Sequence, residues 1–141
     1  TLNKAARDCM VRYAVHACTD VTGFGLLGHA FEMAQGSDTH LTLFPGEIDL
    51  IPEALELARD GILPAGMYRN RHYAEAAVDP GSTELAVQDM LYDPQTSGGL
   101  LIAAAPEDAD ALLRELRGAV PSAQRIGVVE AYNGGPRISL R

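Results

Sequence analysis

The chain has 141 residues, 47% hydrophobic and 21% charged, which excludes a disordered protein and suits one globular domain able to bury a core without staples. Its two cysteines, Cys9 and Cys18, form neither a zinc knuckle nor a disulfide framework, and no apolar run approaches the roughly 18–20 residues of a membrane span, so a reduced, cytoplasmic protein with no membrane partner is expected. The net charge of −8 is uneven, with 13 acids against Arg59, Arg69 and Arg71 between Asp20 and Asp93, an excess that repels a phosphate backbone and disfavours nucleic acid as a partner.

The chain starts at Thr1 and enters a helical pattern at once, which suggests a piece of a longer protein. Asn3 is placed to cap a first helix carrying Ala6, Met10, Tyr13 and Ala14 on one face. Val15–Val21 reads as a strand. Phe24 to Gln35 reads as a helix with a Phe24, Leu27, Phe31, Ala34 stripe and Gly36 as its stop. Thr39–Phe44 alternates as a strand does, and Pro52 opens a helix that runs through Asp60 and is closed by Gly61. Gly61–Tyr73 has no clean period and reads as a loop, Tyr73–Val78 as a strand, Pro80-Gly81 as a turn and Thr83–Leu91 as a short helix.

Leu100–Ala104 is an apolar strand. Pro106 starts a helix with acids in its first turn, Arg114 and Arg117 in its last, and Gly118 at its end, a charge order that suits the helix dipole. Gln124–Tyr132 and Arg137–Leu140 flank Asn133-Gly134-Gly135, a hairpin signal. This alternation predicts an α+β layer fold of one domain, residues 1–141, built on one mixed sheet.

Chemistry concentrates in Asp20-Val21-Thr22-Gly23-Phe24-Gly25-Leu26-Leu27-Gly28-His29, at a strand-to-helix junction. Gly23, Gly25 and Gly28 satisfy G-x-G-x-x-G, and Glu47 follows 19 residues later, so a dinucleotide fingerprint is one reading. Asp20 argues against it, because a carboxylate there repels a bare pyrophosphate unless a cation lies between. Mg²⁺ is held in this way, by one or two carboxylates and the substrate's phosphates. The competing reading is that Asp20 caps the following helix. A second segment, Asp93-Pro94-Gln95-Thr96-Ser97-Gly98-Gly99-Leu100, is rich in small polar residues and lets backbone approach a neighbour closely. His16 and His29 read as hydrogen-bonded structural residues, Cys18 as a small core residue and Lys4 as solvated.

These two segments, with Glu32-Met33, Arg69-Asn70 and Ile126-Gly127 through Val129, resemble the C-terminal domain of the selenophosphate synthetases, in the aminoimidazole ribonucleotide synthetase superfamily. The resemblance runs along essentially the whole chain. It implies α/β/α layers with partial ferredoxin-like topology, in a two-domain enzyme that binds ATP between its domains. That enzyme makes selenophosphate from selenide, ATP and water and releases AMP and phosphate. Carried over by motif, Asp20 is a Mg²⁺ ligand at the ATP phosphates, with Thr22 and Gly23 beside them.

The resemblance also implies that the catalytic Cys or Sec, the essential Lys and most metal carboxylates lie in the protein's own N-terminal domain, outside this chain. The expected partners are ATP, selenide and that N-terminal domain, in a homodimer. This piece alone is expected to be inactive. Other ATP-dependent enzymes of the superfamily and a non-catalytic paralogue remain alternatives. Pro64-Ala65-Gly66-Met67 departs from the PGGT usual there.

Overall fold

Proline, glycine and apolar spacing set most element boundaries in the computed structural model, which describes residues 3–141. In order the elements are α1 (Lys4–Met10), β1 (Val15–Asp20), α2 (Gly25–Gly36), β2 (Thr39–Leu43), α3 (Pro52–Arg59), α4 (Ala65–Ala74), β3 (Val78–Asp79), α5 (Leu85–Tyr92), β4 (Leu100–Ala104), α6 (Pro106–Ala119), β5 (Gly127–Ala131) and β6 (Ile138–Leu140). Pro52 and Pro106 each open a helix, where the missing N–H costs nothing.

The α+β class with a mixed sheet is what the chain forms, but the strands divide in two. One sheet has the order β3-β6-β2-β5, with β2 antiparallel to β5 and parallel to β6, and β6 parallel to β3. The other is an antiparallel ladder of β1 and β4 alone, with Asp20 opposite Leu100, Thr19 opposite Leu101 and Cys18 opposite Ile102.

A two-stranded ladder is marginal by itself. This one is held by a core on each face, because successive side chains of a strand point to opposite sides. Leu101 joins a large cluster with Leu27, Met67, Leu91, Ile138 and Leu140. Its neighbours Leu100 and Ile102 pack against a smaller cluster of Ala6, Cys9, Leu112 and Leu116, contributed by α1 and α6. Among the described residues no helix is long and apolar enough to cross a membrane.

Several local expectations are corrected. The two last strands are not a hairpin, since β2 lies between β5 and β6. Leu41 and Leu43 of β2 and Ile138 and Leu140 of β6 all bury in the large cluster, which places these strands side by side. The connection 132–137 crosses the end of β2, turning at Gly134 and Gly135 with positive φ, and Arg137 stacks 3.3 Å over the Tyr132 ring.

The stretch expected as a loop over 61–73 contains α4. Its period is masked because its buried face is Met67, Asn70 and Ala74, one large apolar residue, an amide and a small one. Only Val78–Asp79 of the expected strand over 73–78 is extended, behind a 3₁₀ turn at Glu75–Ala77. Asn3 does not cap α1; its backbone is helical and its amide donates to the Gly98 carbonyl at 3.1 Å. Phe24 precedes α2 and is 45% exposed, while Leu26 and Ala30 join Leu27 and Ala34 on the buried side. Cys18 is exposed rather than in the core. His16 is also exposed, with no side-chain hydrogen bond among the described residues.

Candidate functional site

Asp20 is the last residue of β1 and faces solvent. Among the described residues its carboxylate accepts no hydrogen bond and forms no ion pair. It does not cap α2 either: Phe24 holds the cap position and no side chain closes that helix start. With Cys18, Thr19 and Leu100 from the ladder and Asn3, Lys4, Arg7 and Met10 from the chain's start, Asp20 lines an open groove of about 550 Å³. Lys4 and Arg7 are turned on Asp8, which their hydrogen bonds hold below the usual carboxylate range. The Cys18 thiol, although the residue is exposed, is pushed up by partial loss of solvent around its sulfur and then by the charge of Asp20, so it stays protonated and is a poor nucleophile.

The two segments singled out by sequence are brought together behind Asp20. Val21 N–H donates to the Gly99 carbonyl at 2.9 Å, and Gln95 N–H to the Thr22 carbonyl at 2.9 Å. Asn70 donates from one amide nitrogen to the carbonyls of Gly23 and Tyr92, both at 2.9 Å. The glycines permit this approach. Gly25 has φ +69° and lies so close to the chain at Tyr92 that a Cβ would sit 2.6 Å from that residue's carbonyl carbon. At Gly98 a Cβ would run into the Val21 carbonyl oxygen.

Thr22 and Gly23 follow Asp20 directly. The Thr22 hydroxyl lies 3.1 Å from Nε2 of His29, whose Nδ1 is 3.3 Å from a carboxylate oxygen of Glu32. His29 is therefore the hydrogen-bonded residue expected. Gly23 has nothing within 4 Å of where a Cβ would stand, so its outer side is open.

The dinucleotide reading fails on topology. That fingerprint needs two parallel strands of one sheet joined through the glycine-led helix, whereas β1 and β2 lie in different sheets. Glu47 sits in an exposed 3₁₀ turn beyond β2.

The sequence reading named Asn70 and Asp93 within its motifs but gave neither a role. Asn70 is buried mid-helix, where an amide is a poor helix former; that mismatch was the available signal. Asp93 has one carboxylate oxygen buried without a partner, and burial pushes its carboxyl up.

The donor chemistry fits a hard cation at one point only. Asp20 offers a free anionic oxygen, and no cluster of three or more His, Cys, Asp or Glu side chains accompanies it among the described residues. Mg²⁺ accepts such a site when waters, phosphates or carboxylates from elsewhere complete its shell.

A family model described as AIR synthase related protein, C-terminal domain, matches residues 1–137. Similar curated proteins include the selenide, water dikinase of Clostridioides difficile (strain 630), 47% identical over 117 residues, which cover 82% of this chain and 34% of that protein. The selenide, water dikinase of Desulfitobacterium hafniense (strain Y51) is 44% identical over 135 residues, 96% of this chain and 39% of that protein. That of Caldanaerobacter subterraneus subsp. tengcongensis is 49% identical over 115 residues, 82% and 33%. The chain thus spans about a third of the length of these curated relatives.

Proposed function

The chain belongs to the family of AIR synthase related proteins, C-terminal domain, and from that premise we propose that it is the C-terminal domain of a selenophosphate synthetase. The whole enzyme, on this reading, forms selenophosphate from selenide, ATP and water with release of AMP and phosphate. Its product feeds selenocysteine and selenouridine synthesis. The observation that carries the proposal is the carboxylate of Asp20, without a partner among the described residues and set at the edge of the clasped 20–29 and 93–100 segments, in a chain whose relatives are named selenide, water dikinase.

Asp20 supplies one oxygen to a Mg²⁺ that also binds the ATP phosphates, with Thr22 and Gly23 alongside. When bound, that ion neutralises charge on the phosphates during phosphoryl transfer. The chain's own part is to hold one anionic oxygen in a fixed place, and the bonds of the Val21 N–H to the Gly99 carbonyl, of the Gln95 N–H to the Thr22 carbonyl and of the Asn70 amide to the Gly23 carbonyl do this. The nucleophile, the essential Lys and the remaining carboxylates come from an N-terminal domain, and the enzyme works as a cytoplasmic homodimer.

Asp20→Asn tests the assignment in the full-length enzyme. The variant keeps the shape and loses the anionic oxygen. Selenophosphate formation is expected to fall on the order of 100-fold, the scale of a damaged metal site. Thermal stability should stay near wild type, because the Asp20 carboxylate has no hydrogen bond or ion pair to lose among the described residues. Near-normal turnover with unchanged Mg²⁺ dependence would refute the ligand role.

A further inference from the structure

We propose that Asn133 is a site of spontaneous covalent modification, at which the backbone nitrogen of Gly134 attacks the Asn133 side-chain amide and turns the residue into isoaspartate and aspartate. The inference is independent of the Asp20 reading. The reaction needs an accessible nitrogen in the residue after the asparagine and room for a five-membered ring to close. Glycine hinders that closure least, because it has no Cβ. Of the chain's three asparagines, Asn3, Asn70 and Asn133, only Asn133 is followed by glycine. The fold leaves this pair open. It lies in the 132–137 connection beyond β5, where Asn133, Gly134 and Gly135 are all exposed. The Gly134 N–H donates no hydrogen bond among the described residues. Gly134 has φ +95°, and nothing lies within 4 Å of where its Cβ would stand. The Asn133 amide makes one exposed bond, from its nitrogen to the Ala131 carbonyl at 3.2 Å.

The other places where the same ring could form are closed by the structure. Asn70 is buried within α4, and its amide is held by the carbonyls of Gly23 and Tyr92. The Asn3 amide is tied to the Gly98 carbonyl, and the next residue, Lys4, opens α1. Asp60-Gly61 is the chain's one Asp-Gly pair and would close the ring with loss of water. Its nitrogen is engaged, since the Gly61 N–H donates to the Ala58 carbonyl at 3.0 Å. The chemistry balances with water alone. Base removes the proton from the Gly134 nitrogen, which bonds to the Asn133 side-chain carbonyl carbon, and the amide nitrogen leaves with a proton as ammonia. Water then opens the cyclic imide. Attack at the side-chain carbonyl gives aspartate, and attack at the backbone carbonyl gives isoaspartate. Either product adds a negative charge and removes the donor to the Ala131 carbonyl. Isoaspartate also makes the main chain one carbon longer, just ahead of Arg137, which stacks over Tyr132.

The test holds the folded full-length protein in warm, mildly alkaline buffer and then digests it briefly with trypsin. Cleavage after Arg125 and Arg137 releases a peptide, 126–137, whose only side-chain amide is Asn133. That peptide is expected to gain about one dalton, as OH replaces NH2. An isoaspartate-specific methyltransferase should label it from S-adenosylmethionine. Asn3 and Asn70 should convert more slowly by on the order of tenfold or more, because their amides must first give up hydrogen bonds. The peptide that begins at Asp60 should take label only after the protein has been unfolded in urea. Asn133→Gln, which would have to close a six-membered ring, should lose both the mass gain and the label at 126–137.

The synthetic peptide 126–137, run alongside, sets the timescale. A folded protein whose Asn133 stays unconverted over many half-lives of that peptide overturns the inference, because the loop then protects the pair. Conversion of Asn3 or Asn70 as fast as Asn133 overturns it too, and so does label that persists at 126–137 in Asn133→Gln.

Discussion

Asp93 and Asp20 are both carboxylates at the ends of regular elements, yet their surroundings treat them oppositely. Asp20 is solvated and free, while Asp93 has a buried oxygen with no donor and a carboxyl pushed up by burial. A carboxyl whose folded pKa is raised costs stability once ionised. That cost is absent below the unfolded pKa and grows as pH rises through the folded value. Asp93→Asn is therefore expected to raise the unfolding temperature by a few degrees near neutral pH. The advantage should vanish as pH falls below about 4, which thermal melts across pH would show. An unchanged melt at pH 7 would mean that the orphaned oxygen finds a partner in solution. Of these acids only Asp20 was legible as a candidate in the sequence, because a strand-end carboxylate ahead of a glycine-rich helix start is a local pattern. The orphaned state of Asp93 depends on tertiary packing over its carboxylate, and no spacing in the chain encodes that.

The clasp between the 20–29 and 93–100 segments is the element that positions the site, and Asn70 of α4 is its pin. One amide group spans two carbonyls, so both α2's entry and α5's exit depend on it. Asn70→Ala leaves two acceptors without a donor and should cost about 2–4 kcal/mol. Asn70→Asp should be worse, since a carboxylate cannot donate and faces two carbonyl oxygens at 2.9 Å. Chemical denaturation of the three proteins orders them; equal stability of Asp and Asn at neutral pH would remove the pin. The glycines of the clasp were legible as points of close approach, although not which backbone they meet. α4 was hidden because a helix whose buried face is Met67, Asn70 and Ala74 carries little apolar period. The final strands misled for a related reason: a glycine turn between two strands signals a hairpin locally, whereas the burial of Leu41, Leu43, Ile138 and Leu140 together decides who is whose neighbour.

At the scale of the molecule, two apolar clusters lie on opposite faces of the β1–β4 ladder and tie the strands other than β5 to helices. The layered class was readable because alternating helical and strand periods imply it; the split into two sheets was not, since it follows from which strand edges meet. With both faces of the ladder covered, the chain holds enough core to fold by itself. Produced alone, it is expected to unfold in one cooperative transition. It should nevertheless leave an aromatic patch uncovered. Phe24 and Tyr73 stack at 5.6 Å, Phe31 meets Tyr73 edge-on, and Phe24, Tyr68 and Tyr73 are each about half exposed. Such a patch favours weak self-association at high concentration, visible as a sedimentation coefficient that rises with loading. Chemistry is a separate matter. One carboxylate cannot complete a Mg²⁺ shell, Lys4 is committed to Asp8, and the Cys18 thiol is held protonated. The isolated chain should therefore form no AMP from ATP and selenide, whereas the same chain joined to the N-terminal domain proposed for it should. AMP production by the folded isolated chain would show that the catalytic groups lie within these 141 residues and would overturn the two-domain assignment.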